Sequence, residues 1–492
     1  MHEDTIVGIA TGMGGGIGVI RISGQDAFTL VGKVFRTKKY IKEKNETDNT
    51  EVHNTEVYNT EVYNTEVYNT FSWDENYLAS KDSHTIHYGF IVDEREDILD
   101  EVIVLLMKSP NSYTKEDVIE IDSHGGAFIL QKILYRLIHE GARLATPGEF
   151  TKRAFLNGRI DLSQAEAVMK LISSQNDFSH KSALEQLEGS VSKYIEQIRK
   201  SILHDLAYIE AALDDPEHIS LDEFSEAFRK RLEDYISQLY KLLSNFDDGR
   251  MKSEGINTVI VGRPNAGKSS LMNLLLDQER AIVTDIAGTT RDIIEEKVML
   301  GNIILNLVDT AGIHDTDDVV ESFGVDKAVS FLEKADLILY VIDGSEELND
   351  DDFQIMERLQ NKKGIVLLNK SDLDTCVMQN DIKSRLNWNI LSFSNETKQG
   401  LADLKNFITD SFLKGDVSYN NQIYLTSIRH RDAVESAVLS LKRVLQTMDD
   451  GMPEDLYTID LMEAYRELGL INGETASEDL VNKIFSDFCM GK

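Results

Sequence analysis

One octapeptide limits what this chain can fold into more than any other feature. Gly262-Arg263-Pro264-Asn265-Ala266-Gly267-Lys268-Ser269 fits the pattern G-x-x-x-x-G-K-(S/T). It follows an apolar run predicted as a strand over 258–261 and precedes a predicted helix opening at Ser270-Leu271. Glycines let such a backbone curl so that its N–H groups surround a phosphate, and the helix N-terminus adds a favourable dipole. Lys268 is placed to reach the β- and γ-phosphates, and Ser269 to ligate Mg²⁺. The surrounding pattern agrees. Apolar strands predicted over 258–261, 303–308, 337–342 and 365–368 alternate with helix-length stretches. That is the signature of a parallel sheet covered by helices on both faces.

Three further signals follow in order. Asp309-Thr310-Ala311-Gly312 ends the second predicted strand. Its Asp suits the magnesium shell, and the Gly312 N–H suits a γ-phosphate. Asn369-Lys370-Ser371-Asp372 ends the fourth. A carboxylate at Asp372 accepts two N–H bonds from guanine N1 and N2, a donor pair that adenine lacks, so the motif selects GTP over ATP. Between the first and second motifs lies Gly288-Thr289-Thr290-Arg291-Asp292, where a switch loop must supply a Mg²⁺-binding Thr. The expected GTP contacts are therefore Asn265 to Ser270, Gly288 to Thr290, Asp309 to Gly312 and Asn369 to Asp372. Asn265, Ala266, Gly267, Lys268, Ser269 and Ser270 form the loop and the opening of its helix.

The flanks read differently. Residues 1–150 show short β-branched runs at 17–22, 84–92, 101–107 and 117–122, with a helix over 127–139. Asn-Thr-Glu-Val-(His/Tyr) recurs four times from Asn49 to Tyr68. A period of five presents no steady apolar face to a core, so this insert is read as a disordered surface loop. From 162 to 246 the spacing is helical. Leu184, Leu187, Val191, Ile195, Ile198, Ile202, Leu206 and Ile209 predict one stripe, and Leu232, Ile236, Leu239, Leu243 and Phe246 another. Helical spacing returns after 415, as in Ala433, Leu439, Val444 and Leu445. Thr475-Ala476-Ser477-Glu478 predicts a capping box opening a last helix through Leu480, Ile484 and Phe488. A helical bundle split in sequence by an inserted α/β domain accounts for this order.

Charge and cysteine content exclude several classes. The 51 basic and 85 acidic residues give a formal charge of -34. Such a surface repels phosphate backbones at long range, so any nucleic-acid contact is local or supplied by a partner. Two cysteines, Cys376 and Cys489, cannot build a disulfide framework or a cysteine zinc site. Met1-His2-Glu3-Asp4 lacks the basic and apolar regions of a signal peptide, and no apolar run reaches the ~18–20 residues of a membrane span. The expectation is a cytoplasmic chain with no membrane contact.

The motif set resembles translation-factor-type GTPases, and Thr284-Asp285-Ile286-Ala287-Gly288-Thr289-Thr290-Arg291-Asp292 is similar to the potassium-binding loop of the MnmE (TrmE) family of tRNA-modification GTPases, which adds Thr284 to Ala287 to the GTP contacts. The resemblance runs along nearly the whole chain. It includes Ile20-Arg21-Ile22-Ser23-Gly24, Asn111-Ser112-Tyr113-Thr114, Glu116-Asp117-Val118, His124-Gly125-Gly126, Pro147-Gly148-Glu149-Phe150 and Arg153-Ala154-Phe155-Leu156-Asn157-Gly158. Phe488-Cys489-Met490-Gly491-Lys492 matches the family's terminal Cys-x-Gly-Lys. It departs at Thr11 to Gly16, where the family has a proline- and arginine-containing loop. It departs again at the guanine-ring loop, where Ser394-Asn395 or Ser392-Phe393 stands for the usual Ser-Ala.

The resemblance implies a multidomain α/β and α+β protein. An α+β tetrahydrofolate-binding-like domain (1–157, with the insert at 49–70) precedes a helical bundle (158–254 and 416–492), into which a P-loop GTPase domain (255–415) is inserted. It implies a homodimer whose hydrolysis is activated when two G domains meet. K⁺ held by Asn265, Thr284, Ile286 and Thr289 then takes the arginine finger's role, and Mg²⁺ is held by Ser269 and Thr290. Ile313 stands where Ras-like proteins carry a water-orienting Gln, so the resemblance assigns that task to Glu321, alongside Lys268. Arg21, Glu120, Arg159 and Lys492 match the contacts to 5-formyl- or 5,10-methylene-tetrahydrofolate, with Cys489 a candidate in the modification chemistry. The implied partners are tRNA and an MnmG (GidA)-type flavoprotein carrying FAD, the two proteins forming a heterotetramer. Together they install an aminomethyl or carboxymethylaminomethyl group at C5 of the wobble uridine. Arg429-His430-Arg431 is a local basic cluster open to a tRNA contact. A ribosome-assembly GTPase shares the nucleotide motifs, but it needs a second GTPase or KH module and neither is found. A nucleotide switch that only binds partners stays open as a rival.

Overall fold

The computed structural model describes residues 4–44, 73–215, 218, 224–278, 295–301, 303–309, 332–333, 335–412, 423–486, 488 and 491. The pentapeptide insert lies outside the described residues. The chain forms two compact units, one of residues 1–166 with 476–492 and one of residues 167–475.

The first unit is built on a seven-stranded sheet. Its strands are β1 (Ile6–Ile9), β2 (Ile17–Ser23), β3 (Phe35–Thr37), β4 (Thr85–Val92), β5 (Ile98–Met107), β6 (Val118–His124) and β7 (Arg143–Leu144), in the order β3-β4-β5-β6-β2-β1-β7. All pairings are antiparallel except β1 with β7. Alternation along the strands sends Ile20, Ile22, Val104, Ile119 and Ile121 to one face. There the helices Ala27–Val34 and Ala127–His139 cover them with Leu30, Val31, Leu130, Ile133 and Leu137. The other face carries the intervening residues, among them Arg21 and Glu120, together with Ile86, Tyr88 and Ile103, which are 68%, 46% and 42% exposed.

The helix Glu149–Leu156 holds a fully buried cation. Arg153 donates to the Asp4 carboxylate at 2.7 Å, to Glu149 at 3.2 Å and to Glu116 at 3.2 Å. Arg143 and the Thr146 backbone N–H and hydroxyl complete the shell of Glu149. A buried guanidinium is tolerable only with such a shell, because an unpaired one costs several kcal/mol in desolvation.

In the second unit, the helices Ser190–Asp214, Phe224–Ser244, Ile428–Asp449 and Asp455–Asn472 share one core. Phe228, Leu232 and Leu239 from before the inserted segment meet Val434, Leu441 and Leu461 from after it. Two expectations change here. The stripe from Leu184 to Ile209 is not one helix, since Asp177–Leu187 ends before Ser190–Asp214 begins, and Leu184 is 37% exposed. Leu439 is 58% exposed, because the buried stripe of its helix runs through Ala433, Val434, Ala437, Val438, Leu441 and Val444.

The inserted domain has a six-stranded sheet. Its strands are β8 (Ile256–Val261), β9 (Glu295–Leu300), β10 (Ile303–Asp309), β11 (Leu337–Asp343), β12 (Gly364–Asn369) and β13 (Asn389–Ser392), in the order β13-β12-β11-β8-β10-β9. It is parallel except for the β9–β10 hairpin at one edge. The two chain crossings between bundle and sheet lie side by side. Gly249, in the helix Phe246–Glu254, packs so closely on Leu425 that a Cβ would stand 3.1 Å from the Leu425 carbonyl oxygen. Arg250 of that helix pairs with Asp336, just ahead of β11, at 2.5 Å.

The last helix, Glu478–Ser486, belongs to the first unit and differs from expectation at its start. Ser477 is the cap: its Oγ accepts the Leu480 N–H at 3.3 Å and its carbonyl accepts the Val481 N–H. The Thr475 hydroxyl instead donates to the Arg466 carbonyl. Phe488 lies beyond the helix.

The Glu149 shell gives a pH test. Burial raises its carboxyl, but Arg143 and Thr146 outweigh that and hold it at about 2, below its ordinary 4.5. A depressed carboxylate stabilises the fold above its unfolded pKa and loses that contribution as pH falls toward the folded value. Glu149→Gln is expected to cost about 3 kcal/mol at pH 7, with the gap to wild type closing between about pH 4.5 and pH 2, read by urea unfolding of the full chain at stepped pH.

Candidate functional site

The phosphate loop spans the turn between β8 and the helix Lys268–Gln278. Its curl needs unusual backbone. Asn265 sits at φ 61, and Gly267 at φ 102, where L side chains are strained. A Cβ on Gly267 would stand 2.1 Å from Asn369 Nδ2, and one on Gly262 would stand 2.3 Å from the Val341 carbonyl oxygen. Lys268 Nζ lies across the loop, donating to the Gly262 and Arg263 carbonyls at 2.9 and 2.8 Å. Asn265, Ser269 and Ser270 are exposed, while Ala266 is buried under the loop. The loop thus presents polar groups and a helix N-terminus to one side.

The parallel sheet brings the other motifs to the same edge, since β8, β10 and β12 all end there. Asn369 closes β12, and its Nδ2 donates to the Ala266 carbonyl at 2.8 Å. Lys370, at φ 60, pairs with Asp343 at the end of β11 at 2.5 Å. Burial pushes the Asp343 carboxyl up, but the Lys370 ammonium and the Ser345 hydroxyl and N–H outweigh it and hold it below the ordinary range. Ser371 N–H bonds to the Phe393 carbonyl, tying this turn to the segment after β13. Asp372 is exposed, with one carboxylate oxygen accepting from the buried Ser394 hydroxyl at 2.5 Å. Of the two candidate guanine-ring pairs, Ser394-Asn395 is the one beside Asp372. Phe393 is buried in the domain core. Asp309 ends β10 opposite Ile260. Thr284 to Arg291, Asp292, Thr310, Ala311, Gly312, Ile313 and Glu321 lie outside the described residues.

A second constellation lies on the other face of the first unit's sheet, away from the helices Ala27–Val34 and Ala127–His139. Arg21 on β2 and Glu120 on β6 are register partners, and Arg21 Nε donates to Glu120 Oε1 at 2.7 Å. Tyr113 stands between two guanidiniums, with Arg21 4.8 Å and Arg159 4.5 Å from its ring centroid. Such stacking leaves the guanidinium edges free to pair with carboxylates. Gly491 closes the side, its carbonyl 3.4 Å from Arg21 Nη1. Three of the four predicted residues, Arg21, Glu120 and Arg159, are therefore brought together. Lys492 and Cys489 lie outside the described residues. Tyr113, in the motif Asn111 to Thr114, joins them through a stacking that only the fold creates.

The basic cluster is spent on structure. Arg429 donates to the Leu470 and Ile471 carbonyls at the end of the helix Asp455–Asn472, His430 is fully buried, and Arg431 pairs with Asp432.

Comparison with known proteins covers the chain end to end. The model for the MnmE helical domain matches residues 162–489, and that for the GTP-binding protein TrmE N-terminus matches residues 5–159. The tRNA modification GTPase MnmE of Lachnoclostridium phytofermentans is 49% identical, with 100% of each chain covered. Its counterparts in Acetivibrio thermocellus and Clostridioides difficile are 43% and 42% identical, over 100% of this chain and 99% of each relative.

The crowding at Gly267 is testable. Gly267→Ala adds left-handed strain and a clash with the Asn369 amide, so the loop must open. Loss of GTP binding by at least ~100-fold, with the bundle's helical circular dichroism unchanged, is the expected result.

Proposed function

The chain belongs to the family of the tRNA modification GTPase MnmE, and from that premise we propose that it is a K⁺-dependent GTPase acting at the wobble uridine of certain tRNAs. Its class is that of a GTP hydrolase in tRNA modification. The observation that carries the finer reading is the linked pair of phosphate loop and Asn369-to-Asp372 turn in a chain 49% identical end to end to such an enzyme.

The reading assigns the work as follows. The curled backbone of Asn265 to Ser270 and the Lys268 ammonium receive the triphosphate, and Asp372 accepts the guanine N1 and N2 donors. Glu321 orients the attacking water, because Ile313 cannot. Ser269 and Thr290 would hold Mg²⁺; Asn265, Thr284, Ile286 and Thr289 would hold K⁺. The left-handed Asn265 and the exposed Ser269 leave oxygens available for hard cations. These cations supply positive charge where the β–γ bond breaks.

The remaining assignments stand on the family. Arg21, Glu120, Arg159 and Lys492 would hold 5-formyl- or 5,10-methylene-tetrahydrofolate, the source of the one-carbon unit. A carboxylate suits a pterin's paired donors, and the arginines beside Tyr113 suit a folate's carboxylates. Cys489 is a candidate for the modification step. Homodimerisation is supported by the apolar face at Ile86, Tyr88 and Ile103. An MnmG (GidA)-type flavoprotein carrying FAD completes the heterotetramer that modifies tRNA. The proposed division is 1–157, 158–254, 255–415 and 416–492, with the segment 476–492 packing in the first compact unit. Among the described residues no helix is long and apolar enough to cross a membrane, and the proposed location is the cytoplasm.

GTP turnover at saturating Mg²⁺ is expected to be at least ~10-fold faster in KCl than in NaCl, since the cation stands in for an arginine finger. Equal rates would remove the K⁺ assignment, and no turnover in either salt would leave the partner-binding switch as the better reading. Asp372→Asn is expected to weaken guanine nucleotides by ~100-fold and to admit xanthine nucleotides, whose C2 oxygen accepts the new amide donor. Mass spectrometry of wobble uridine in tRNA from cells with and without the protein checks the reaction itself.

A further inference from the structure

Asn395 ties the base end of the site to the phosphate end. Its Nδ2 donates to the Gly267 carbonyl at 3.0 Å, and its backbone N–H donates to Asn369 Oδ1 at 3.2 Å. Asn369 in turn donates to the Ala266 carbonyl at 2.8 Å. The four residues close a ring of hydrogen bonds in which two side-chain amides hold two consecutive carbonyls of the phosphate loop. The Gly267 oxygen already accepts the Leu271 N–H at 2.9 Å, the first bond of the helix, so Asn395 takes its second lone pair. Both amides press on Gly267: a Cβ there would stand 2.1 Å from Asn369 Nδ2 and 2.7 Å from Asn395 Nδ2.

This contact has a directional consequence. In a trans peptide the carbonyl and the following N–H point in opposite directions. Holding the Ala266 oxygen fixes the Gly267 N–H, and holding the Gly267 oxygen fixes the Lys268 N–H. The second of these belongs to the first residue of the helix Lys268–Gln278. We propose that Asn395 is a positioning residue for nucleotide binding: its amide locks the Gly267–Lys268 peptide so that the Lys268 N–H faces a bound phosphate. The ring also makes the base loop and phosphate loop move together. The inference rests on the guanine-nucleotide reading of this site.

A contact to the loop's central phosphate is common to GDP and GTP and to ground and transition states. Losing its alignment therefore lowers the affinity for both nucleotides equally and raises KM without changing kcat. Asn395→Ala removes one neutral hydrogen bond, and the expected effect is a 3–10-fold rise in the Kd for GDP and in the KM for GTP. Asn395→Asp keeps the shape but sets a carboxylate against a carbonyl oxygen, and is expected to weaken GDP more than the alanine does. In both variants kcat stays within about 2-fold of wild type and the preference for GDP over ADP is unchanged.

The test uses the full-length protein, with fluorescent GDP titrated at a temperature below each variant's nucleotide-free melting transition. Steady-state GTP hydrolysis in KCl is measured alongside. Weakened GDP binding with the order Asp below Ala below wild type supports the proposal. Binding within 2-fold of wild type in either variant overturns it, as does a fall in kcat with KM unchanged. Wild-type protein that retains no GDP removes the nucleotide reading, and this inference with it.

Discussion

Two side-chain amides seated on two consecutive carbonyls hold the phosphate loop in its curl, and the site is arranged around that constraint. A loop with Asn265 and Gly267 at positive φ is not a shape a free chain keeps. Asn369 and Asn395 supply the cross-links that make it the resting shape. They reach it because β8 and β12 run parallel on either side of β11 and end at one edge. Sheet topology, turn chemistry and backbone strain are thus one device: remove the parallel order and the amides no longer meet the carbonyls.

The first unit meets a different constraint. Two helices cover one face of its sheet, and strict alternation leaves Arg21 and Glu120 on the other, paired across β2 and β6 beside Phe150. The cation–carboxylate cluster around Arg153 adjoins that face through Glu116, which also accepts from Ser23 of β2, and it anchors Asp4 to the helix Glu149–Leu156. One unit therefore contains an ionic cluster around the fully buried Arg153 and, beside it, a half-buried pair of similar groups, Arg21 and Glu120.

Much of this was legible in the sequence. The strands β8, β10, β11 and β12 are apolar runs, three of them leading into motif residues, and the predicted boundaries lie within two residues of the observed ones at each end. What escaped notice lacked that signal. β9 opens Glu295-Glu296-Lys297 on a sheet edge, β13 is four residues long, and β7 is two. Ser477 and Thr475 are both good caps, and only the Arg466 carbonyl, brought near by the helix Asp455–Asn472, decides between them. Leu439 fits a helical stripe in sequence, yet its neighbours Val438 and Leu441 define the buried side. At the site, motif residues announced themselves by spacing. The role of the Asn395 amide did not, because Gly267 is 128 residues away.

The contact between Gly249 and Leu425 has a consequence for the architecture as a whole. Because the two strands of chain that leave the bundle touch one another, the bundle's outline is already closed without the domain between them. The inserted domain is a cassette: cutting it out leaves two ends that a short spacer can join, and putting another in demands only that its termini be neighbours. The same proximity puts both crossings at one short junction, where Arg250–Asp336 and the packing of Met251 on the inserted domain's core fasten the cassette to its frame.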